Sequence, residues 1–226
     1  MKLVIFDLDQ TLVDLIPLHD ETMLRLFRRF FGIDAKLTEI DFAGKSLTQC
    51  FAELAKMKSI PEARFREGSQ QLFEDYQKLF IENIPKDVSN YVLPGVTELL
   101  EALSTTDNLV VLYTGEPPSI VKAVFEVTGF GKYFRFCQYG TRVKTRSDMV
   151  RRALRRAERM TGRKFAGKDI VIIGDSFRDI ECGHEFNALT IGVATGSHSM
   201  TRLAQAQPDY VFSSLKDYRQ ILKVMN

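Results

Sequence analysis

Short runs of apolar residues, each followed by glycine or polar residues, recur along the chain and predict β-strands. Two of these runs, residues 3–6 and 170–173, are apolar at every position. Continuous apolar character is typical of a parallel strand that helices cover on both faces. The predicted strands are residues 3–6, 109–114, 134–138, 170–173, 189–193 and 210–212.

Apolar residues at helical spacing fill the segments between these strands. The pattern i, i+3, i+4, i+7 runs from Val96 to Leu103 after Pro94, and again from Val150 to Ala157. This spacing is typical of amphipathic helices with one buried face. Because strands and helices alternate, the sequence predicts an α/β protein with a mainly parallel sheet.

One connection, from residue 14 to residue 92, is too long for an ordinary crossover between strands. It contains three helical patterns: one that Asp14 and Pro17 begin and Gly32 ends, a second over residues 47–57, and a third that starts near Pro61. Their apolar faces predict a small all-helical domain. We therefore expect a core of residues 1–14 and 92–226 with a helical domain, residues 15–91, inserted after the first strand.

The net charge and the cysteine content indicate which partners and which cellular compartment to expect. Lysine and arginine total 31 against 29 aspartate and glutamate, a net charge of +2, which gives no reason to expect a nucleic-acid partner. The three cysteines form no C-x-x-C pair, so the sequence offers neither a disulfide framework nor a zinc site. No apolar stretch suits a membrane span or a secretory signal. We expect a cytoplasmic protein without a membrane partner.

Carboxylates follow two of the apolar strands directly. Asp7 and Asp9 come after the first strand in the pattern D-x-D-x-T, and Asp175 and Asp179 follow the run 170–173. Open α/β sheets bind ligands at the carboxyl ends of their strands. Like charges at one edge need a cation, and hard carboxylate oxygens favour Mg²⁺. Turn or helix capping, for example by Ser176, is the alternative role for these motifs.

Two further positions are suited to a phosphate group. Thr114 and Gly115 end the second strand with a hydroxyl and an unencumbered backbone N–H. Lys144 precedes a predicted helix and could supply a compact positive charge. Each feature taken alone is also compatible with a plain turn or a surface lysine.

Together these residues resemble the four sequence motifs of the haloacid dehalogenase superfamily, in particular its phosphoglycolate-phosphatase-like hydrolases with a helical cap. The matching positions, in motif order, are Asp7-x-Asp9-x-Thr11, Thr114, Lys144, and Asp175 with Asp179. The resemblance implies a Rossmann-like, doubly wound parallel sheet in the strand order fifth, fourth, first, second, third. It also identifies the inserted helical domain as the cap.

The sequence departs from the family pattern at the third motif and after Asp9. Lys144 keeps the usual spacing to Asp148, but Thr145 and Ser147 stand where the family has prolines. Arg142 and Arg146 are therefore alternatives to Lys144. Gln10 replaces the commoner glycine.

The resemblance implies a Mg²⁺-dependent phosphatase that hydrolyses small phosphorylated metabolites through an aspartyl-phosphate intermediate. Asp7 would be the nucleophile and Asp9 the general acid and base, while Thr114 and Lys144 would hold the phosphoryl group. The metal would be bound by Asp7, Asp175 and the backbone carbonyl of Asp9. Asp179 would either bind it through water or orient Lys144.

Gly115 and Lys45 are the candidates for substrate binding, Lys45 because it lies in a loop of the expected cap. A phosphosugar mutase of the same family and a non-catalytic module phosphorylated on Asp7 are the two alternative functions. The substrate is not specified by the sequence, and both a monomer and a homodimer remain open.

Overall fold

The computed structural model describes residues 1–140 and 145–225. Within these ranges six parallel strands form one sheet in the order β3-β2-β1-β4-β5-β6. The α/β class and the expected order of the first five strands are confirmed. The strands are β1 (Leu3–Phe6), β2 (Leu109–Thr114), β3 (Cys137–Tyr139), β4 (Ile170–Gly174), β5 (Leu189–Val193) and β6 (Tyr210–Phe212).

Strand β1 lies in the centre of the sheet and is completely buried. Its residues pair with β2 on one side and with β4 on the other, for example Phe6 with Leu112 and with Ile173. The Asp7 backbone N–H continues this pairing and donates to the Ile173 carbonyl at 3.0 Å. The residues that follow β1, β2 and β4 therefore meet at one edge of the sheet.

Helices cover both faces of the sheet, as a doubly wound fold requires. The side chains of β1 alternate between two apolar clusters: Val4 and Phe6 join one, and Leu3 and Ile5 join the other. The helices in the described ranges are α1 (Ile16–Phe31), α2 (Leu47–Met57), α3 (Glu62–Asn83), α4 (Val96–Ser104), α5 (Pro118–Thr128), α6 (Arg146–Thr161), α7 (Phe177–His184), α8 (Met200–Gln205) and α9 (Tyr218–Met225).

The third strand begins at Cys137, later than the predicted start at residue 134. A 3₁₀ helix, Phe130–Tyr133, precedes it. The Phe134 ring then stacks on Phe125, with ring centroids 5.3 Å apart. The chain approaches β2 already at Arg135, whose N–H donates to the Val110 carbonyl at 2.8 Å, but regular pairing starts only at Cys137.

Helices α1, α2 and α3 form the helical insertion, Ile16–Asn83, between β1 and β2. Aromatic rings from each helix meet in its interior, with Phe51 of α2 in edge contact with Phe27 of α1 and with Tyr76 of α3. Gly32 ends α1 with a φ of 73°, as the sequence predicts. No helix in the described part of the chain is both long and apolar enough to cross a membrane.

The two chain segments that connect the insertion to the sheet lie side by side. The Asp14 N–H donates to the Tyr91 carbonyl at 2.7 Å, and the Leu93 N–H donates to the Leu12 carbonyl at 3.0 Å. Val13 and Val92 form an antiparallel bridge between these segments. The domain boundaries at residues 14/15 and 91/92 stay a prediction.

Candidate active site

Three carboxylates meet at the carboxyl edge of the sheet. Asp7 follows β1, Asp175 follows β4, and Asp179 lies in the first turn of α7. All three are buried, and each offers an oxygen within 4.8 Å of the others. A buried group of this kind can hold a divalent cation, because carboxylate oxygens are its preferred ligands and like charges otherwise repel.

Arg146 places a positive charge inside this group of carboxylates. Its Nη2 donates to Asp7 Oδ2 at 3.1 Å, and its Nη1 lies 2.6 Å from Asp179 Oδ1. Its guanidinium carbon lies 4.7 Å from the centroid of the Tyr113 ring. The side chain is buried and enters the site from the first turn of α6, which the Thr145 hydroxyl caps by accepting from the Asp148 N–H at 3.1 Å.

The sequence predicts Arg146 only as an alternative to Lys144. Lys144 itself and Arg142 lie outside the described residues. In the part of the chain that the structure describes, the buried cation that contacts Asp7 is therefore an arginine. A guanidinium differs from an ammonium because it can donate to two acceptors at fixed angles.

Both carboxylate oxygens of Asp179 form hydrogen bonds or ion pairs with protein groups. Oδ2 accepts from the Ser176 N–H at 3.0 Å and from the Ser176 hydroxyl at 2.6 Å. Oδ1 accepts from the Tyr113 hydroxyl and pairs with Arg146. Ser176 also caps α7, as the sequence analysis allowed. These contacts satisfy Asp179 and fix the orientation of Arg146.

Asp175, by contrast, has a buried oxygen without a hydrogen-bond partner among the described residues, Oδ2. A Cβ at Gly196 would lie 2.0 Å from this oxygen, so the glycine keeps the space beside it open. An orphaned carboxylate oxygen is costly to bury unless a ligand binds it. The residues present therefore fit a divalent cation.

Burial raises the pKa of several carboxyls in the site, because it penalises the charged form. The pKa of Asp7 rises to about 6 through desolvation, although Arg146 opposes the shift. Desolvation and the neighbouring charge of Asp7 raise the pKa of Asp175 well above its ordinary value. Desolvation also raises the pKa of Asp9 to about 8.

Asp9 lies beside these three carboxylates but faces the helical insertion. Its Oδ1 accepts from the Leu15 N–H at 2.8 Å and from the Gln10 N–H at 3.1 Å. Its Oδ2 lies 3.8 Å from Nε2 of His19 in α1. Metal binding by the Asp9 carbonyl stays a prediction.

Thr114 is buried at the end of β2, and its hydroxyl oxygen accepts from the Glu116 N–H at 3.1 Å. The hydroxyl proton can therefore be donated to a ligand. Next to it, Gly115 is in close contact with the insertion, because a Cβ there would lie 2.3 Å from the Lys45 carbonyl. The Lys45 ammonium pairs with Glu53.

The loop of residues 41–46, between the first two helices of the insertion, lies directly over the carboxylates. Arg146 Nε donates to the Gly44 carbonyl at 3.1 Å. Arg178 donates to the Ala43 carbonyl at 2.5 Å and to Asp41 Oδ2 at 2.8 Å. A cavity of about 40 Å³ remains between the loop and the sheet edge, lined by residues that include Asp7, Asp9, Lys45, Thr114 and Glu116.

Sequence reasoning missed His19, Tyr76 and Glu116. His19 is completely buried, its Nδ1 lies 2.6 Å from the Tyr76 hydroxyl, and its Nε2 lies 3.7 Å from Glu116 Oε1. The histidines of the sequence show no metal-ligand spacing, so the motifs give no reason to select His19. The available signal was its place four residues before Met23, on the buried stripe of α1.

The sequence model that describes the haloacid dehalogenase-like hydrolase family matches residues 4–193 of this chain. The chain belongs to this family. It is 26% identical to the pyrophosphatase PpaX of Listeria monocytogenes over 97% of this chain and 95% of the relative. It is 23% identical to the phosphoglycolate phosphatase of Vibrio parahaemolyticus, covering 99% and 97% of the two chains. Its identity to the 5'-nucleotidase of Pseudomonas aeruginosa is 27%, covering 97% and 95%.

Solved structures share the fold of this member of the family. The β-phosphoglucomutase of Clostridium difficile superposes with a TM-score of 0.78 at 18% identity, covering 100% of this chain and 97% of the other. A protein from Clostridium acetobutylicum, described as a predicted phosphatase, gives a TM-score of 0.78 at 22% identity and 98% coverage of both chains.

Proposed function

We propose that the protein is a Mg²⁺-dependent phosphatase that hydrolyses small phosphorylated metabolites through an aspartyl-phosphate intermediate on Asp7. The observation that carries the proposal is the buried group of Asp7, Asp175, Asp179 and Arg146 at the edge of the sheet. The names of the curated relatives support it, since a pyrophosphatase, a phosphoglycolate phosphatase and a 5'-nucleotidase each act on a phosphate group.

In this proposal Asp7 attacks phosphorus, and the bond from phosphorus to the leaving oxygen breaks. Arg146 and the Thr114 hydroxyl bind phosphoryl oxygens and orient the group for attack. Asp9 gives its proton to the leaving oxygen, a role that suits a carboxyl whose pKa burial has raised to about 8. Asp9 then takes a proton from the water that attacks phosphorus, and phosphate leaves Asp7.

Asp7 and the unpartnered oxygen of Asp175 would bind the Mg²⁺, with Asp179 holding Arg146 behind them. The bound ion would supply positive charge that offsets the carboxylates and the phosphoryl oxygens. Gly115 and Lys45 line the cavity. In our proposal the backbone groups of Gly115 and Lys45 form a wall of the space that the phosphoryl group enters.

Turnover of p-nitrophenyl phosphate tests the proposal. EDTA should abolish turnover and added Mg²⁺ should restore it, because Arg146 alone does not offset the three buried carboxylates and a phosphate dianion. Asp175→Asn should raise the Mg²⁺ concentration needed for half-maximal rate, whereas Asp148→Asn, at a side chain that is 39% exposed in the first turn of α6, should not.

Full turnover in metal-free buffer would contradict the proposal. A requirement for a bisphosphate activator would identify a mutase instead. Stable phosphorylation without turnover would identify a signalling module.

A further inference from the structure

Arg178, in the first turn of α7, connects the core to the loop of residues 41–46 in the helical insertion. Its Nη1 donates to the Ala43 carbonyl at 2.5 Å, and its Nη2 donates to Asp41 Oδ2 at 2.8 Å. The side chain is 24% exposed, and the proposed chemistry gives it no role. One guanidinium therefore binds both the backbone and a side chain of the loop, with the fixed angles that its planar group imposes.

The core holds the Arg178 side chain in this orientation. Its guanidinium carbon lies 4.5 Å from the centroid of the Phe177 ring. That ring is in edge contact with the buried ring of His198, with centroids 5.1 Å apart, and His198 Nε2 lies 3.7 Å from Asp41 Oδ1. Because stacking on an aromatic ring restricts a guanidinium, Arg178 loses little conformational freedom when the loop binds to it.

The next carbonyl of the loop, that of Gly44, contacts the active site. It accepts from Arg146 Nε at 3.1 Å. The same guanidinium donates to Asp7 through Nη2 at 3.1 Å and pairs with Asp179 through Nη1. A guanidinium is planar, so contacts at its three nitrogens fix its orientation. The loop thus supplies one of three contacts that orient the group proposed to bind phosphoryl oxygens.

The two arginines contact consecutive peptide groups of the loop. The Ala43 and Gly44 carbonyls belong to planar units that only the φ and ψ angles of Gly44 separate. A Cβ at Gly44 would lie 3.0 Å from Arg178 Cβ and 3.1 Å from Arg146 Nε, so the backbone passes close to both side chains. A displacement of the Ala43 carbonyl is therefore transmitted to the Gly44 carbonyl and to Arg146.

We propose that Arg178 is a positioning residue that holds the loop 41–46 on the core and, through the Gly44 carbonyl, orients Arg146 for the phosphoryl group. Docking of the loop and binding of phosphate are then coupled, and such coupling is reciprocal. Phosphate bound at Arg146 should strengthen docking by the same factor by which docking strengthens phosphate binding. This inference rests on the proposed phosphatase function, and Arg178 itself does not touch the reacting atoms.

A double-mutant cycle tests whether Arg178 acts through Arg146. Arg178→Gln should lower kcat/KM for p-nitrophenyl phosphate about 10-fold, the size expected for one hydrogen bond to a charged group. Arg178→Lys keeps the charge and should recover part of this loss. An ammonium has no plane for the loop to orient, so adding Arg178→Gln to Arg146→Lys should cost only about twofold or less.

Arg156→Gln is the matched control for the loss of a stacked arginine. This exposed side chain of α6 lies over the Phe136 ring, with its guanidinium carbon 4.4 Å from the centroid. It should keep the wild-type kcat/KM, and it should leave hydrogen exchange at residues 41–46 unchanged.

Hydrogen exchange at residues 41–46 gives a second measurement that needs no turnover. In the phosphate-free protein, Arg178→Gln should speed this exchange about 10-fold, since the loop loses its charged donor. Inorganic phosphate with Mg²⁺ should slow the exchange about 5-fold or more in the wild type, and less in Arg178→Gln. Exchange gives the result if Arg146→Lys is inactive, and the wild-type response to phosphate gives it if Arg178→Gln does not fold.

Three results would overturn the inference: wild-type kcat/KM in Arg178→Gln, an equal loss from Arg178→Gln in the wild-type and Arg146→Lys backgrounds, or exchange at residues 41–46 that phosphate does not slow. If the wild type hydrolyses p-nitrophenyl phosphate in these cases, the phosphatase function stands and only the role of Arg178 is wrong. If it hydrolyses no ester, the phosphatase proposal fails and the coupling fails with it. Exchange in the phosphate-free protein then still shows whether Arg178 holds the loop.

Discussion

Among the single residues of the site, Asp179 and Asp175 differ in whether their carboxylate oxygens are free to bind a metal ion. Asp179 accepts from Ser176 and Tyr113 and pairs with Arg146, so both oxygens are occupied. Asp175 keeps a free oxygen instead. The sequence left open whether Asp179 binds metal through water or orients Lys144. The described contacts favour an orienting role, directed at Arg146.

The raised carboxyl pKa values also predict how stability depends on pH. Burial raises the pKa of Glu116 from 4.5 to about 8 and that of Asp9 from 3.8 to about 8. A carboxyl with a raised pKa binds its proton more tightly in the folded chain. Its contribution to the free energy of unfolding is therefore complete below the ordinary pKa and is lost as pH rises through the folded one.

We predict that the metal-free protein loses stability between about pH 6.5 and about pH 8.5, and that Glu116→Gln loses less. The lost free energy for one such group is about 2 kcal/mol, or roughly 4–8 °C in Tm for a chain of this size. The pKa of His19 falls from 6.5 to about 3, so the folded chain keeps it neutral in this range, and its titration in the unfolded chain affects the wild type and Glu116→Gln equally.

Thermal unfolding in EDTA at the two pH values measures the effect. Glu126→Gln, at a side chain in α5 that is 65% exposed, should show the same pH response as the wild type. An identical fall in Tm for Glu116→Gln and the wild type would show that the Glu116 carboxyl does not hold its proton in the folded chain.

At the scale of elements, the insertion and the sheet edge approach each other through glycines. A Cβ at Gly115 would lie 2.3 Å from the Lys45 carbonyl, and a Cβ at Gly140 would lie 3.2 Å from the Gly115 Cα. Gly44 has a φ of +76°, and a Cβ there would lie 2.9 Å from the Ser176 hydroxyl. The loop 41–46 can lie over the carboxylates because these positions have no side chain.

Gly115→Ala should therefore prevent the loop from reaching this position. We expect kcat/KM for p-nitrophenyl phosphate to fall about 10-fold or more, because a small displacement of groups that position a substrate is costly. Hydrogen exchange at residues 41–46 should increase, while the Tm should change little.

Gly192→Ala is the matched control, since a Cβ at this position in β5 would lie 3.5 Å from the Leu203 side chain, an ordinary van der Waals distance. It should leave the exchange of residues 41–46 unchanged. Wild-type kcat/KM in Gly115→Ala would show that this contact is not needed for activity.

At the scale of the whole molecule, the sequence predicts the strands, the three helices of the insertion and the edge where Asp7, Thr114 and Asp175 meet. Each of these depends on local periodicity or on the position of a motif after a strand. The strand order came from the family resemblance, because local patterns do not specify which strands pair.

The buried contacts between distant elements could not be predicted in this way. Arg146 reaches Asp7 and Asp179 from the start of α6, and the sequence offers it only as one alternative to Lys144, which lies outside the described residues. His19 meets Glu116 only when α1 packs against the end of β2. Such contacts depend on how elements that are distant in sequence pack against each other.

The proposed mechanism transfers the phosphoryl group to Asp7 before water releases it as phosphate. Asp9→Asn tests this most directly, because loss of the acid and base should slow hydrolysis of the intermediate by about 10²–10⁴. Intact-protein mass spectrometry of Asp9→Asn, mixed with p-nitrophenyl phosphate and Mg²⁺, should show one added phosphoryl group, and peptide fragmentation should locate it on Asp7. The double variant Asp7→Asn, Asp9→Asn should carry none. Equal phosphorylation of the double variant, or substrate consumption by Asp9→Asn without any adduct, would contradict an aspartyl-phosphate intermediate on Asp7.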